Sequence, residues 1–271
     1  EAMSTPYDLY QPGRSWLHRL DPRVRLLLAL ALSALAVAWA NVWAMLALVV
    51  GLHVLLLSAG IARGRMAWLW RMAALPMISV AVLWVVAYPV PEGEAFLSFW
   101  FVRVGPENVA RGVAVGLRVA ALAWAIMAWL FTTDQATLVR SLVSLGLPYE
   151  WGLVLAMALR YLPTMSLTLR TISEAQQSRA LDLAAGNPLQ RARRYAPILV
   201  AMIIAALRTA DNVSRALESR ALGAMPQRTY LRTLHMRRAD VVWMAGILVV
   251  TGGVLYARLA HGIGADALRL W

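Results

Sequence analysis

Long apolar stretches constrain the fold of this 271-residue chain more than any other feature of its sequence. A helix needs roughly 17 to 25 predominantly apolar residues to cross the hydrocarbon core of a bilayer, which is about 30 Å thick. Stretches that approach or reach this length occupy residues 26–40, 42–60, 68–90, 109–131 and 241–257. We therefore predict an all-α polytopic membrane protein with about five transmembrane helices.

The distribution of charge predicts how these helices are oriented. The chain has 26 basic residues, all of them Arg, and 14 acidic residues. Segment 132–238 contains 14 Arg and six acidic residues, and the amino-terminal arm is also basic, whereas the loop at 89–108 has three Glu and one Arg. By the positive-inside rule, the amino terminus and segment 132–238 face the cytoplasm and the acidic loop faces the other side.

These patterns divide the chain into three parts. We assign residues 1–131 to an amino-terminal arm and the first four transmembrane helices, 132–238 to a cytoplasmic or interfacial domain, and 239–271 to the last transmembrane helix and a tail. The middle part predicts a short helix at 134–145, followed by two long amphipathic helices. The first, at 149–185, is bent or interrupted near Pro163, and the second, at 189–222, has a weak point at Pro197.

Several chemistries are excluded by residue types that the sequence lacks. Without Lys the chain has no P-loop lysine for ATP phosphates, and without Cys it has no thiolate nucleophile or thiolate metal ligand. The four His residues are scattered, have no partner at metal-ligand spacing, and are expected at the surface or the membrane interface. No intramembrane Ser-His pair, carboxylate pair or His cluster suggests a membrane-embedded enzyme. We therefore expect a non-catalytic chain without a metal or cofactor of its own.

One tetrapeptide, Ser-Arg-Ala-Leu, occurs twice, and its first three residues end both predicted long helices. The two copies begin with Ser178-Arg179-Ala180 and with Ser219-Arg220-Ala221. Such an Arg can act within its own helix, because a cation near the carboxyl end interacts favourably with the helix dipole. It can also project into a partner protein, where its planar fork of five donors suits a groove lined with carboxylates and carbonyls. The residues alone leave both interpretations open.

Other charged residues lie at or within the predicted transmembrane helices. Asp21 is interpreted as the N-cap of the first transmembrane helix, with Pro22 at its first position and Arg23 next, where the chain enters the membrane. Arg118 lies near the middle of the fourth transmembrane helix, and Arg160 interrupts an apolar stretch. A charge at such depth is costly, so each Arg marks a functional site, an internal structural pair or a side chain that extends to the membrane interface.

The motifs lie within longer segments that resemble a known family. The family's opening segment is similar to "LHRLDPRVRLL" in this chain. The helix that leads to the family's first motif is similar to "ALRYLPTMSLTLRTISEAQQSRALDL". The family's second helix and its motif are similar to "LRTADNVSRALESRALG" and the later "RTYLR". The family is the transmembrane T component of energy-coupling factor (ECF) transporters, which are ABC-type importers of vitamins and of cobalt or nickel ions. The resemblance covers nearly the whole chain.

The resemblance implies a coupling role in a prokaryotic cytoplasmic membrane. The chain would transmit ATP-driven motion from two cytoplasmic ABC ATPase subunits, which bind ATP and Mg, to a small substrate-binding S component. It implies that the two Ser-Arg-Ala motifs dock on the ATPases and that the amphipathic helices support the S component, for example through Leu207, Ala210 and Leu217. The remaining motif residues would have structural or coupling roles: Asp21, Pro22, Arg23, Arg118, Arg160 and Pro163. The alternative is a conventional ABC permease that encloses its own pathway.

The chain departs from the family pattern at one position in each motif. Ala180 and Ala221 stand where the family usually has Gly. A methyl group disfavours the positive φ that ends many helices, so we expect each helix to continue for another turn. Gly186 and Gly223 would then end the helices.

Overall fold

The computed structural model describes residues 10–13, 15–88, 97–99, 102–183, 187–223 and 236–261. Within these ranges the chain forms ten helices and one antiparallel ribbon. The elements are α1 (Trp16–Arg19), α2 (Pro22–Ala38), α3 (Val42–Ser58), α4 (Arg63–Ala87), β1 (Leu97–Phe99), β2 (Val102–Val104), α5 (Pro106–Thr132), α6 (Gln135–Ser144), α7 (Tyr149–Gln177), α8 (Pro188–Arg194), α9 (Ala196–Glu218) and α10 (Arg238–His261). The predicted all-α polytopic membrane class is confirmed, and the short ribbon is an addition that its sequence did not signal.

Five described segments are long and apolar enough to cross a membrane: α4, α5, α7, the α8–α9 segment and α10. The number of candidate membrane-spanning helices therefore agrees with the prediction, but they are not all the same helices. Helices α2 and α3 each have only 17 residues, which is near the lower limit for spanning a bilayer. Helices α7 and α9, which we had assigned to an interfacial domain, satisfy the length and composition criteria.

The described residues form two compact units. The larger unit comprises residues 10–145 and 236–261, and the smaller unit comprises residues 146–223. In the larger unit α5 packs against α2, α3 and α4, and α10 packs against α2. Helix α6 also lies in this unit, against α2, although the predicted boundary at residue 132 separates the two. In the smaller unit α7 packs against α9.

Small residues allow α4 and α5 to approach closely. A Cβ atom added at Gly112 would lie 2.8 Å from the carbonyl oxygen of Ala81 and 2.5 Å from a methyl carbon of Val85. At Gly116, one turn later, it would lie 3.1 Å from the carbonyl oxygen of Met77. Within a bilayer there is little hydrophobic force between helices, so close packing of this small-xxx-small type is a main source of association.

An aromatic cluster fills the centre of the larger unit. Trp124 of α5 is fully buried, and its ring centroid lies 4.1 Å from that of His53 in α3. The Trp70 indole donates to His53 Nε2 at 2.9 Å, and His53 Nδ1 lies 2.8 Å from the Val49 carbonyl oxygen. The sequence predicts His53, like the other His residues, at the surface or the membrane interface; the residue is half-buried, and both ring nitrogens have hydrogen-bond partners within the helix bundle.

The two prolines that we expected to weaken long helices behave differently. Helix α7 passes through Pro163 without interruption. Near Pro197 the chain does break, since a turn at Tyr195 separates α8 from α9 and places Pro197 in the first turn of α9. The first turn of a helix tolerates Pro because its N–H groups have no acceptor within the helix.

Candidate functional site at two matching helix ends

Helix α7 ends in a turn that satisfies its last carbonyl groups. The Ala180 N–H donates to the Gln177 carbonyl at 2.9 Å, and the Leu181 N–H donates to the Gln176 carbonyl at 3.2 Å. These two bonds define a Schellman motif, in which the residue after the C-cap adopts a left-handed conformation. The chain therefore turns away from the helix axis directly after Arg179.

Helix α9 ends in the same way. The Ala221 N–H donates to the Glu218 carbonyl at 2.9 Å, and the Leu222 N–H donates to the Leu217 carbonyl at 3.0 Å. Leu217 and Leu222 are both half-buried, and a contact between side chains at these two positions often accompanies this motif. The two Ser-Arg-Ala copies thus share one backbone hydrogen-bond pattern.

The alanines hold the left-handed position in both turns. Ala180 has φ 65° and Ala221 has φ 54°, and they are the only non-glycine residues with positive φ in the described chain. The prediction that each helix continues for another turn is therefore wrong. The motif bonds satisfy terminal carbonyls that would otherwise lack partners, and this gain outweighs a left-handed cost of about 1–2 kcal/mol per residue. Gly223 also has positive φ, at 87°, whereas Gly186 lies outside the described residues.

Arg179 and Arg220 directly precede the two left-handed alanines. Both side chains are exposed, and within the described residues neither guanidinium has a hydrogen-bond or ion-pair partner. The neighbouring serines instead bond to their own helices: Ser178 Oγ donates to the Glu174 carbonyl and Ser219 Oγ to the Ala216 carbonyl, both at 3.0 Å. The exposed guanidinium is therefore the group that each tip offers to another molecule.

The exposed side of α9 changes from apolar to polar along its length. Its amino-terminal half presents large apolar side chains that are 46–61% exposed, here called the apolar outer face: Leu199, Val200, Ile203, Ile204 and Leu207. From Arg208 onwards the exposed residues are mainly polar, namely Arg208, Asp211, Asn212, Arg215 and Glu218. An exposed apolar face of this size needs lipid or a protein partner, whereas the polar end suits water.

Helix α7 has the same gradient. Exposed large apolar residues occur up to Leu169, and they are followed by exposed Arg170, Thr171, Glu174 and Gln177. Each Ser-Arg-Ala motif therefore lies at the polar end of its helix. Arg160 is exposed on the apolar half of α7 and has no partner among the described residues.

A groove of about 360 Å³ runs between α7 and α9. It is lined mostly by apolar and small side chains, namely Met157, Ala158, Tyr161 and Met165 from α7 and Ala206, Thr209, Ala210, Val213 and Ser214 from α9. Of the residues predicted to contact another membrane subunit, Ala210 lines this groove and Leu207 belongs to the apolar outer face. Leu217 lies in the terminal turn of α9, where its carbonyl accepts from Leu222.

Arg118 has a structural partner in another helix. Its Nε and Nη2 donate to the carbonyls of Ala36 and Trp39 at 2.9 and 2.6 Å. Arg258 of α10 donates to the neighbouring Ala38 carbonyl at 3.1 Å. Two arginines therefore donate to three carbonyls at the carboxyl end of α2, where backbone carbonyls have no N–H donor within the helix. Of the three interpretations of Arg118, the structure supports the internal contact.

The start of α2 confirms the predicted cap. The Asp21 side chain accepts from the Arg23 N–H at 2.9 Å, Pro22 is the first residue of α2, and Arg23 Nε donates to Ser144 Oγ at 2.7 Å. Sequence reasoning missed Asp240, which is only 3% exposed and accepts from the backbone N–H groups of Asp21 and Arg237 at 3.1 and 2.9 Å. The sequence feature that could have indicated this role is the position of Asp240, an acidic residue in the first turn of the last apolar helix.

A second buried contact near this point also escaped the sequence. Arg25 is buried and donates to the carbonyls of Leu20 and Thr132. It thereby joins the start of α2 to the end of α5. Nothing in the local sequence distinguishes Arg25 from Arg23, which is only half-buried, because both acceptors of Arg25 are backbone groups of other segments.

Comparison with known proteins places these features in a family. The family model described as "CbiQ: Cobalt transport protein" matches residues 13–231. The chain is 31% identical over 264 residues to the energy-coupling factor transporter transmembrane protein EcfT of Acidaminococcus fermentans, covering 94% of this chain and 97% of that protein. It is 28% identical to the proteins of the same name from Lactococcus lactis subsp. cremoris and Thermosediminibacter oceani, covering 89% and 91% of this chain and 93% and 95% of those proteins. The chain therefore belongs to the transmembrane T components of energy-coupling factor transporters, a family of multi-pass membrane proteins.

Proposed function

We propose that this chain is the mechanical coupling subunit of an importer for a vitamin or a transition-metal ion. It transmits ATP-driven motion from two cytoplasmic ABC ATPases to a separate substrate-binding membrane subunit, and it neither hydrolyses ATP nor binds the solute. The motif ends of α7 and α9 face the cytoplasm of a prokaryotic cell. The observation that carries this proposal is a pair of exposed arginines, without partners among the described residues, on helix ends with identical hydrogen bonding.

Two matching ends suit two equivalent partner sites. Because both turns have the same backbone bonds, each holds the Cα–Cβ bond of its arginine in the same relation to its helix axis. A guanidinium supplies several donors in a fixed plane, which favours a groove that contains carboxylate and carbonyl oxygens. A pair of identical ATPase subunits offers two such grooves, one for Arg179 and one for Arg220.

Helices α7 and α9 are suited to carry motion away from these ends. Each is an unbroken helix, although Pro163 leaves one backbone hydrogen bond unmade in α7, and the two pack against each other. A displacement at either motif is therefore transmitted along the rods to their apolar halves. The groove that contains Ala210, together with Leu207 on the apolar outer face, supplies an apolar surface for the substrate-binding subunit.

The docking claim is tested by charge reversal at the two tips. We expect Arg179→Glu combined with Arg220→Glu to abolish copurification of coexpressed ATPase subunits. Truncating one side of a buried charged pair commonly costs about 2–5 kcal/mol, and each 1.4 kcal/mol is tenfold in affinity. The matched control is Arg170→Glu with Arg215→Glu, which makes the same charge change on exposed arginines of the same helices.

The control pair should retain the ATPases. Both variants should reach the membrane in wild-type amounts, as measured in the membrane fraction. If the Arg179 and Arg220 variant still holds its ATPases and supports uptake, the two arginines do not dock. If the control pair releases the ATPases as completely, the interaction depends on overall charge and the specific role of the tips is wrong.

A further inference from the structure

Helix α8 concentrates positive charge in a short exposed segment. Its last turn contains Arg191, Arg193 and Arg194, and the helix has no acidic residue. Arg194 donates to the Asp182 carbonyl at 2.7 Å. Arg191 and Arg193 are exposed and have no partner among the described residues. Two guanidinium groups are therefore available to an external ligand.

Exposed apolar side chains flank these arginines. Leu189 is 68% exposed and lies four residues before Arg193, so the two share a side of the helix. Tyr195, at the junction with α9, is 46% exposed. The apolar outer face of α9 begins at Leu199, one turn after Tyr195. Basic, aromatic and apolar groups thus follow one another among the exposed residues of segment 189–207.

This order of basic, aromatic and apolar residues is typical of a segment at the boundary between water and lipid. The end of the apolar outer face next to α8, at Leu199 and Val200, needs an apolar environment that lipid can supply, and arginines beside such a face extend their charged ends towards lipid phosphates. A tyrosine between the two regions is at the depth that its amphipathic ring prefers. Anionic lipids attract basic residues that lie next to the hydrocarbon, so the charge of α8 selects for negatively charged headgroups.

We propose that α8 is a binding site for anionic phospholipids, in which Arg193 contacts a headgroup phosphate beside Leu189, whose side chain lies among the acyl chains, and Arg191 adds positive charge from the other side of this short helix. The site anchors the amino-terminal end of α9 at the membrane surface, while its other end bears Arg220. The inference does not depend on ATPase docking, because it concerns different arginines and a different ligand.

The absence of Cys from the chain permits a direct test. In an Ala192→Cys variant, a nitroxide at this exposed position is the only thiol-linked label. The full chain is placed in nanodiscs of phosphatidylcholine, alone or mixed with phosphatidylglycerol, and collision with a water-soluble nickel complex is compared with collision with oxygen. We expect phosphatidylglycerol to lower the collision rate with nickel severalfold and to raise that with oxygen.

Variants on the labelled background separate a lipid site from a general charge effect. Arg191→Gln with Arg193→Gln should abolish the response to phosphatidylglycerol. Arg179→Gln with Arg220→Gln removes the same charge from the motif tips and should leave it intact. Arg191→Lys with Arg193→Lys keeps the charge and should retain most of it, which guards against loss through misfolding.

Three outcomes overturn the proposal. In the first, the label has the same accessibility in both lipid compositions. In the second, the response persists without Arg191 and Arg193. In the third, the motif-tip pair removes the response as completely as the α8 pair. Circular dichroism of each variant checks that helix content is unchanged.

Discussion

Replacing both left-handed alanines by glycine should tighten the two helix ends. Ala180 and Ala221 have φ 65° and 54°, a conformation that costs a residue with a side chain about 1–2 kcal/mol. Glycine removes this cost but adds about 0.4–1 kcal/mol of conformational freedom to the opened state. The difference leaves a net stabilisation of about 1 kcal/mol at each end, and this corresponds to about fivefold in the equilibrium between opened and closed turns.

Hydrogen exchange measures this equilibrium directly. In Ala180→Gly with Ala221→Gly, peptides that contain Leu181 and Leu222 should exchange about fivefold more slowly, because these N–H groups bond within the turns. Ala175→Gly with Ala216→Gly makes the same chemical change on exposed residues inside the helices, where it costs about 1 kcal/mol, so exchange should become faster. If the two double variants accelerate exchange alike, the assignment of a left-handed conformation to the motif alanines is refuted.

Three further perturbations test the larger unit. Gly112→Ala places a carbon 2.8 Å from the Ala81 carbonyl oxygen. We therefore expect a lower thermal midpoint in detergent and a loss of about 1–3 kcal/mol in the free energy of unfolding. The control Gly51→Ala, which has open space around the new carbon, should not lower the midpoint. Arg118→Met leaves two α2 carbonyls without donors and should cost about 1–3 kcal/mol; an unchanged midpoint would mean that other groups satisfy them. Burial lowers the pKa of His18, so the folded chain binds fewer protons than the unfolded chain and stability is lost as the pH falls below about 6.5. His18→Gln should flatten this decline in thermal midpoint, and an equally steep decline would assign it to another group.

The positions of the helices were predictable because they depend on local composition. Apolar length located α3, α4, α5 and α10, and the Asp-Pro pair before α2 located its first residue, as the cap hydrogen bond shows. The partners of the buried charges were not predictable. Arg118 donates to carbonyls of α2, and backbone acceptors in another helix leave no trace in the sequence.

The conformation of the motif alanines was missed for a different reason. Intrinsic preference argues against a positive φ for Ala, and that preference was the only guide at this position. In the structure, two backbone hydrogen bonds at each end override it. The signal that was available is the Leu after each Ala, because an apolar residue at this place in a Schellman motif can pack back on the helix.

The two helix ends have the same hydrogen-bonding pattern, and this similarity indicates which properties of the motif matter. The residues before the first copy are Glu-Ala-Gln-Gln and those before the second are Arg-Ala-Leu-Glu, yet the terminal hydrogen bonds are the same. Charge alone does not require this, because Arg170 and Arg215 already place exposed guanidinium groups on α7 and α9. What distinguishes Arg179 and Arg220 is the left-handed residue that follows each and stops the helix at that point. Both ends adopt that conformation without a glycine, which would lower its cost, so the docking that we propose depends on the shape of each tip together with its arginine.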